Sequence, residues 1–285
     1  MKLVSVSHYL HPVHDSEELP AFDSTLKRLC REPYRRIDRF IQLALLGSAR
    51  CALGQTLKPD CGIYLGSGVG PIGSNVETQI QLIRDREIPK PANFINTLGA
   101  SAGFYVAKNL GLRGQNHFIS RRGSSLLAVL RAAMVDLILG ISEQVLVGVV
   151  EEVALPINEH RFRQGIADKR TLAEGSHWFL LQSDAVGSRT LEMKWFDNYE
   201  SLKCFVESKW YVSDKVYCTT GTTNHEAGAL RKQFGLEESY GLDNAFHDSP
   251  DAAWLAGNAA TCKNLKLFLI DGNAERGWCL FYLCT

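Results

Sequence analysis

The most regular pattern of apolar and polar positions lies between Asn116 and Val153. Phe118 and Ile119 predict the end of a strand, and residues 121–123 (R-R-G) predict a sharp turn after it. Helical spacing then joins seven apolar positions: Leu126, Leu127, Leu130, Ala133, Met134, Leu137 and Ile138. Gly140 is placed to end that helix. The unbroken apolar run 145–150 predicts a strand buried on both faces.

The turn places one side chain at the N-terminus of the predicted helix, where enzymes often hold a nucleophile. Arg121 and Arg122 occupy the turn, and Ser124 and Ser125 follow as candidate helix caps. A guanidinium group is always protonated and cannot act as a nucleophile. The segment therefore has the local framework of an active site without its reactive group.

Four other segments have clear patterns. Lys2 to Ser7 predicts a first strand, Arg35 to Leu53 an amphipathic helix, and Cys61 to Leu65 a buried strand. The glycines in residues 66–70 (G-S-G-V-G) favour a tight strand-to-helix turn over nucleotide binding, because the Lys-Ser/Thr pair and the acidic residue of nucleotide-binding motifs are missing. Lys90 to Leu112 predicts a loop and then a helix rich in small residues.

Three histidines, His8, His11 and His14, follow the first predicted strand. They could indicate a metal site, but Pro12 interrupts their spacing, so a solvated loop is the favoured interpretation. The eight cysteines include no C-x-x-C pair, and no Cys/His group has the spacing of a zinc site. We therefore predict neither a metal nor a cofactor.

Composition narrows the class of protein. Among 285 residues, 31 basic residues balance 31 acidic ones, which gives no electrostatic reason to expect binding to nucleic acid or to an anionic membrane. The hydrophobic fraction of 45% is ordinary for a globular protein. No apolar run reaches transmembrane length, and the N-terminal M-K-L-V-S-V-S-H is too short and polar for a signal peptide. We expect a cytoplasmic protein with free, mostly buried thiols.

Several of these segments resemble the motifs of one enzyme family. Residues 120–125 (S-R-R-G-S-S) lie on the pattern T-A-C-x-S-S of the β-ketoacyl synthases, which belong to the thiolase superfamily. Other matches to the family's motifs lie at Gly66–Gly70, Gly140, Val147-Gly148, Glu151 and Glu174-Gly175. The resemblance covers nearly the whole chain and is strongest from Gly62 to Leu181.

The resemblance implies an α/β fold with the thiolase-like order of α/β/α/β/α layers and a shortened second half. It also implies two parts of one compact unit. Residues 1–185 would form a ketosynthase-like N-terminal half, and residues 186–285 a truncated C-terminal half.

The same resemblance implies that the catalytic residues of the family are replaced. Arg122 falls where the nucleophilic cysteine belongs, and a shift of one residue would place Arg121 or Gly123 there, neither of which is a nucleophile. Cys218 falls at the first catalytic histidine. Asp248 falls at the second, or His247 does if the register shifts by one.

Condensation by this family needs a thiolate to accept the acyl group and two histidines to polarise the malonyl thioester and stabilise its enolate. It also needs backbone N–H groups that form an oxyanion hole. A chain without the cysteine and both histidines lacks every group that performs the chemistry. We therefore predict that this protein is not an enzyme on its own.

In type II polyketide synthases an active ketosynthase pairs with an inactive chain length factor, which shapes the acyl tunnel. By resemblance, this chain is predicted to be such a non-catalytic subunit. It is most similar to the small ketosynthase-like partner in bacterial aryl polyene gene clusters, in polyketide or fatty-acid-like biosynthesis. A full-length β-ketoacyl synthase would form the heterodimer with it, and acyl carrier protein would be an indirect partner.

Two groups of residues acquire expected roles from this resemblance. Arg121 and Arg122 would lie near the subunit interface, paired with Glu151 and Glu152 or with groups of the partner. Three residues are candidates for lining or blocking the acyl tunnel, with tight internal helix packing as an equal alternative for their segment: Phe94, Thr97 and Leu98.

Two other functions stay open at the level of sequence. An independent acyltransferase or hydrolase could act on acyl thioesters through Cys218, with His225 seven residues later, or through Ser124. A stand-alone acyl-binding protein would need no catalytic group. Copurification with a ketosynthase, covalent labelling of Cys218, and acyl binding by a monomer distinguish the three hypotheses.

Overall fold

The computed structural model describes residues 1–13, 19–166, 171–184, 189–211, 213–219, 224–234, 247–262, 264–273 and 277–284. Within these ranges the chain forms nine strands and ten α-helices. None of the helices in these ranges combines the length and the hydropathy that crossing a membrane requires.

The strands are β1 (Lys2–Val13), β2 (Gly62–Ser67), β3 (Asn116–Ser120), β4 (Gln144–Glu151), β5 (Leu172–Gln182), β6 (Arg189–Phe196), β7 (Lys215–Cys218), β8 (Leu267–Asn273) and β9 (Gly277–Cys284). The helices are α1 (Asp23–Leu29), α2 (Arg39–Ala52), α3 (Ile72–Gln79), α4 (Pro91–Asn96), α5 (Gly99–Leu110), α6 (Ser125–Ile138), α7 (Ile157–Gln164), α8 (Tyr199–Lys209), α9 (Asn224–Phe234) and α10 (Pro250–Thr261). A π-helical turn, Ile80–Arg84, continues α3.

The strands hydrogen-bond in the order β3-β2-β4-β5-β1-β6-β9-β8-β7. β2 is parallel to β3 and β4, and β7 is parallel to β8; the other neighbouring pairs are antiparallel. Only two residue pairs join β1 to β6, Lys2 with Thr190 and Leu3 with Arg189. This short connection divides the sheet into a first half, β3-β2-β4-β5-β1, and a second half, β6-β9-β8-β7.

Helices α6 and α10 lie between the two halves of the sheet. α6 packs on β2 and β4, and α10 packs on β1, β5 and β8. Their buried side chains share one core with both halves, which includes Leu130, Val147, Trp254, Leu269 and Phe281. α2 and α5 cover the outer face of the first half, and α8 and α9 cover that of the second. The five layers form the thiolase-like α/β/α/β/α arrangement that the resemblance implied.

The elements around the turn agree with the sequence pattern. β3 ends at Ser120, and α6 begins at Ser125. Gly140 follows α6 with a φ of +68°, a left-handed conformation that suits glycine. Every residue of β4 is buried, because helices cover both faces of that strand. The predicted strand, turn, helix and buried strand are therefore confirmed.

The first strand is longer than predicted, and the loop expected at the histidines is wrong. His8 and His11 lie within β1, opposite His177 and Glu174 of β5. Pro12 is tolerated because this part of β1 pairs with β5 alone, so the missing N–H can face the unpaired side. His14 lies outside the described residues.

The predicted boundary between residues 185 and 186 falls in the segment 185–188, which also lies outside the described residues. The two halves of the sheet nevertheless share the core around α6 and α10. The two predicted halves are therefore packed against each other around one shared core.

Candidate functional site

Hydrogen bonds hold the turn between β3 and α6 in place. The Arg121 N–H donates to the carbonyl of Ser67 at the end of β2 (3.2 Å), and the Ser125 hydroxyl donates to the carbonyl of Arg121 (2.5 Å). Gly123 has a φ of +77°, which a residue with a side chain rarely adopts. The turn is therefore fixed against the carboxyl end of β2.

Ser124 occupies the N-cap position of α6, but its hydroxyl makes no capping hydrogen bond. Its backbone (φ −157°, ψ 43°) departs from the extended geometry of most capping residues, so the expected cap is wrong. Its carbonyl accepts from the Ala128 N–H (3.3 Å). The side chain is buried, with only 3% of Ser124 exposed, which leaves little access for a thioester.

Arg122 is exposed, and its guanidinium donates a hydrogen bond to Gln164 of α7. The carboxylates of Glu151 and Glu152 bond elsewhere: Glu152 accepts from the Gly73 N–H (2.7 Å). Within the described residues, neither arginine of the turn forms an ion pair with Glu151 or Glu152. The intrachain pairing suggested by the sequence is therefore wrong, and pairing with a partner stays a prediction.

Glu151, the last residue of β4, lies in a buried cluster behind the turn. Its Oε1 accepts from the Gly68 N–H (2.5 Å) and the Ser249 hydroxyl (2.5 Å), and its Oε2 accepts from the Ser67 hydroxyl (2.8 Å). Burial raises the pKa of Glu151 to about 8, and the neighbouring Asp248 carboxylate adds to the shift. Burial therefore favours the neutral form of the Glu151 carboxyl more than an exposed position would.

Asp248 lies next to Glu151, at the position where the resemblance places the second catalytic histidine. A Cβ atom at Gly68 would be 3.0 Å from Asp248 Cβ and 3.4 Å from Glu151 Oε1, so this glycine allows the close approach. Burial raises the pKa of Asp248 to about 6, and the positive charge of Arg122 opposes that shift. Arg122 at a helix N-terminus is unfavourable by itself, and Asp248 offsets its charge. The charge of Arg122 therefore acts on Asp248, although the two side chains form no ion pair in the described part of the chain.

Cys218 is not part of this group. It ends β7, and its side chain packs against the outer cluster between the second half of the sheet and α8 and α9. Because side chains alternate along a strand, Tyr217 faces inward instead and packs against Trp254 of α10. The thiol therefore faces the outer layer. The side chain of His225, its suggested partner, lies outside the described residues.

The three candidate tunnel residues lie on the surface of this chain. Phe94 is 58% exposed and Leu98 is 50% exposed. The hydroxyl of half-buried Thr97 donates to the carbonyl of Phe94 (2.7 Å). A cavity of about 920 Å³ lies on the other side of α4, and its lining includes Asp38, Ser74, Glu77, Asn93, Ile95 and Asn96. The candidate residues are not among those that line it.

Sequence reasoning missed two buried polar groups. One is the ion pair between Arg39 of α2 and Glu174 of β5. The other is a row of histidines, His8, His177 and His247, in the middle layer. No local pattern in the sequence indicated either group, because each depends on pairing between segments that are far apart in the chain. In the parts of the chain that the structure describes, no group of three or more His, Cys, Asp or Glu is arranged to hold a metal ion.

Comparisons with solved structures show the same fold in several ketosynthase-related proteins. The ishigamide ketosynthase/chain length factor is 17% identical, with a TM-score of 0.63, over 87% of this chain and 81% of that chain. The ketosynthase ApeO in complex with its chain length factor ApeC, from Xenorhabdus doucetiae, gives 12% identity and a TM-score of 0.59, over 100% of both chains. The 3-oxoacyl-(acyl carrier protein) synthase III of Pseudomonas aeruginosa gives 13% identity and a TM-score of 0.57, over 99% of this chain and 97% of that chain.

No curated protein matches the chain. The family model described as β-ketoacyl synthase, N-terminal domain, matches residues 9–176, which is more than half of the sequence. The match includes β2, the turn with Arg122, α6 and β4, the elements that build the site. The chain therefore belongs to the β-ketoacyl synthase family.

Proposed function

We propose that this protein is a non-catalytic, chain-length-factor-like subunit that forms a heterodimer with an active β-ketoacyl synthase and shapes its acyl tunnel. The observation that carries the proposal is the turn before α6. It has the build of a nucleophile turn, but the side chain in the place of the cysteine is the exposed guanidinium of Arg122. An always-protonated group cannot accept an acyl chain.

The surroundings of the turn support the same conclusion. By the resemblance, Asp248 falls at the second histidine; it is a half-buried carboxyl, and the positive charge of Arg122 opposes the rise in its pKa. The thiol of Cys218 faces the outer layer. Ser124 is buried and belongs to the helix start. These placements count against an independent acyltransferase or hydrolase that uses Cys218 or Ser124.

The edge of the sheet beside the turn supports heterodimer formation. β3 is the outermost strand, and on the side away from β2 no strand of the described ranges pairs with it. Exposed edges of this kind add strands from other chains. The helices that pack on β3 carry exposed apolar residues: Phe104 of α5 is 58% exposed, and Val135 of α6 is 51% exposed. We expect a partner strand beside β3 to bring its chain against this apolar surface.

The candidate tunnel residues lie close to this edge. Leu98 directly precedes Gly99, where an added Cβ would overlap the ring of Phe118 in β3. Phe94 and Leu98 are therefore apolar groups next to the proposed interface, exposed in the single chain and available to contact a partner's acyl group. This placement supports a role at the interface over tight packing inside the chain.

The similarity to complexes of ketosynthases with chain length factors supports a place in type II polyketide biosynthesis. Aryl polyene synthesis is the finer proposal, and it rests on the sequence resemblance. Acyl carrier protein would deliver substrate to the active partner, which would supply the cysteine and both histidines.

Coexpression with a full-length β-ketoacyl synthase of a type II polyketide system tests the proposal. We expect a stable 1:1 complex in size-exclusion chromatography with light scattering. We also expect condensation of malonyl thioesters by the complex and none by this chain alone. A monomer that becomes acylated on its own side chain and turns over would overturn the proposal.

A pair of matched variants locates the interface. Phe104→Glu places a charge beside the β3 edge and should abolish copurification. Tyr211→Glu changes another exposed aromatic residue, 66% exposed, which follows α8 near the opposite edge of the sheet. This control should copurify normally. Equal behaviour of the two variants would show that the partner does not use the β3 edge.

A further inference from the structure

Three histidines from separate segments are linked in the middle layer of the fold. His8 of β1 lies opposite His177 of β5, with 3.0 Å between their Nδ1 atoms. The Nε2 atom of His177 is 3.4 Å from the Nε2 of His247, which precedes α10. His177 and His247 are buried, and His8 is half-buried. The row therefore runs from a partly exposed ring on β1 to the start of α10.

The backbone of Ser249 determines which nitrogen of each ring carries a proton. The Ser249 N–H donates to Nδ1 of His247 (3.0 Å), so neutral His247 carries its proton on Nε2 and donates it to Nε2 of His177. His177 must then carry its proton on Nδ1 and donate it to Nδ1 of His8, which carries its own on Nε2. One assignment of tautomers satisfies all three contacts, and in it every ring is neutral.

The electrostatic environment keeps the rings neutral. Burial lowers the pKa of all three histidines, and it brings the pKa of His247 to about 3. The charges that the other rings would carry lower the pKa values of His177 and His247 further. A second proton on any ring would also set two N–H groups facing each other. Protonation and the linked arrangement therefore exclude each other.

Ser249 connects this row to the helix that joins the two halves. Its carbonyl accepts from the N–H groups of Ala252 (3.2 Å) and Ala253 (3.4 Å) in the first turn of α10. Its hydroxyl donates to Glu151 of β4. Loss of the contact between His247 and Ser249 would therefore release a residue that holds both the first turn of α10 and the buried carboxyl cluster.

We propose that the hydrogen-bonded row of His8, His177 and His247 is a pH-sensitive link between the first half of the sheet and α10. In the neutral state the ordered N–H···N bonds hold residues 247–249 against β1 and β5. A proton that enters at His8, the least buried ring, breaks the row and loosens the first turn of α10. The device does not depend on the identity of a partner.

Other titratable groups near the row act in the opposite direction. Asp248 lies beside His247, Glu151 bonds to Ser249, and Asp251 lies in the first turn of α10; burial raises the pKa of each. Glu174 on β5 is held by Arg39. A carboxyl with a raised pKa stabilises the fold at low pH and loses that contribution as the pH rises. A histidine with a lowered pKa stabilises the fold above its ordinary value of 6.5 and loses that contribution as the pH falls. Any loosening of the first turn of α10 below pH 6.5 would therefore come from the three histidines of the row.

Nitrogen-15 NMR of the histidine rings in the whole protein is the direct test. At pH 7 we expect the proton on Nε2 in His8 and His247 and on Nδ1 in His177. We also expect nitrogen–nitrogen couplings through the hydrogen bonds of both ring pairs. A charged ring, the other tautomer of His177, or missing couplings at pH 7 would overturn the assignment.

Hydrogen exchange of the peptides that cover α10 tests the pH response. After correction for the intrinsic exchange rate, opening of α10 should increase about tenfold at pH 5.5 for each histidine that regains its ordinary pKa. His8→Asn keeps an acceptor for the His177 N–H but cannot take the proton, so its response should be smaller by about tenfold. His11→Asn, in the same strand but outside the row, should respond like the unaltered protein. An unchanged response in His8→Asn would refute the pH-sensitive role even if the tautomers are as assigned.

Discussion

Arg39 holds the carboxylate of Glu174 with two guanidinium nitrogens, Nε on Oε2 at 3.0 Å and Nη2 on Oε1. Glu174 is fully buried, and its remaining polar contact in the described residues is the Tyr9 hydroxyl at 3.3 Å. The ion pair joins Arg39, the first residue of α2, to Glu174 in β5. Because the buried carboxylate is not hydrated, its negative charge is stabilised mainly by the guanidinium group of Arg39.

Substitution Arg39→Ala should therefore lower the free energy of unfolding by about 3–5 kcal/mol, since it leaves a buried charge without its partner. Urea denaturation followed by circular dichroism measures the change. Arg163→Ala is the matched control, because Arg163 pairs with Glu159 on the surface of α7. It should cost about 0.5 kcal/mol or less. Similar losses in the two variants would contradict the distinction between the buried and exposed pairs.

A second prediction concerns Gly148, which has no space beside it for a larger side chain. It lies opposite Trp178 in the register of β4 and β5, and an added Cβ would lie 2.5 Å from the indole ring. Gly148→Ala should destabilise the protein by about 1–3 kcal/mol, because the fully buried ring has no room to move. Gly228→Ala in α9 is the control: its Cβ would meet nothing within 4 Å, and the helix should gain about 0.5–1 kcal/mol. Thermal unfolding should show a lower melting temperature for Gly148→Ala and a higher one for Gly228→Ala than for the unaltered protein.

The fold followed from the sequence where the pattern was local. The spacing of apolar residues from Leu126 to Ile138 and the run 145–150 set one helix and one strand, and the structure has both. The length of β1 did not follow, because His8 and His11 interrupt the apolar alternation. Their places in the sheet depend on pairing with β5, about 160 residues later in the chain. No window of sequence contains that pairing.

Part of the candidate site was also predictable from local sequence, and part of it was not. The turn with Arg122 was predictable from local spacing and from the family motif. The cluster of Glu151 with Asp248 was not, because it needs the fold to bring the segment before α10 to the end of β4. The direction of the Cys218 side chain also depends on which face of β7 meets α8 and α9. The motif could give the position of Cys218 along the chain but not that face.

Burial of Glu151 should make the folded protein less stable as the pH rises. Its raised pKa, about 8, means that the neutral carboxyl stabilises the fold fully at acid pH, and that this contribution is lost as the pH rises through 8. Glu151→Gln keeps a neutral group, so its stability relative to the unaltered protein should improve between pH 6 and pH 9. Urea titrations at both pH values measure this difference. Glu143→Gln, at an exposed carboxylate paired with Lys58, should show no such trend; a flat result for Glu151→Gln would refute the buried proton.

Arg122→Cys should not restore condensation to the isolated chain. The new thiol would lie at the helix N-terminus, but Asp248, which the charge at this position affects, carries a carboxyl and not an imidazole. Without histidines to stabilise the enolate, decarboxylation of malonyl thioester has no catalyst. Mass spectrometry should find at most slow acylation of the thiol, and a radiolabelled malonyl assay should find no condensed product. Condensation by this single variant would refute the proposed loss of function.

Leu98 offers the sharpest test of a role in the partner's tunnel. It is half-exposed and lies next to the β3 edge, so Leu98→Trp adds volume toward the proposed interface without disturbing the core of this chain. Thr97→Trp, one residue earlier, should act in the same direction. If these positions limit the tunnel, both variants should shorten the acyl products of the complex, as mass spectrometry of carrier-bound products would show. Tyr211→Trp, near the far edge of the sheet, should leave product length unchanged. Products of normal length from an intact Leu98→Trp complex would remove Leu98 from the tunnel wall.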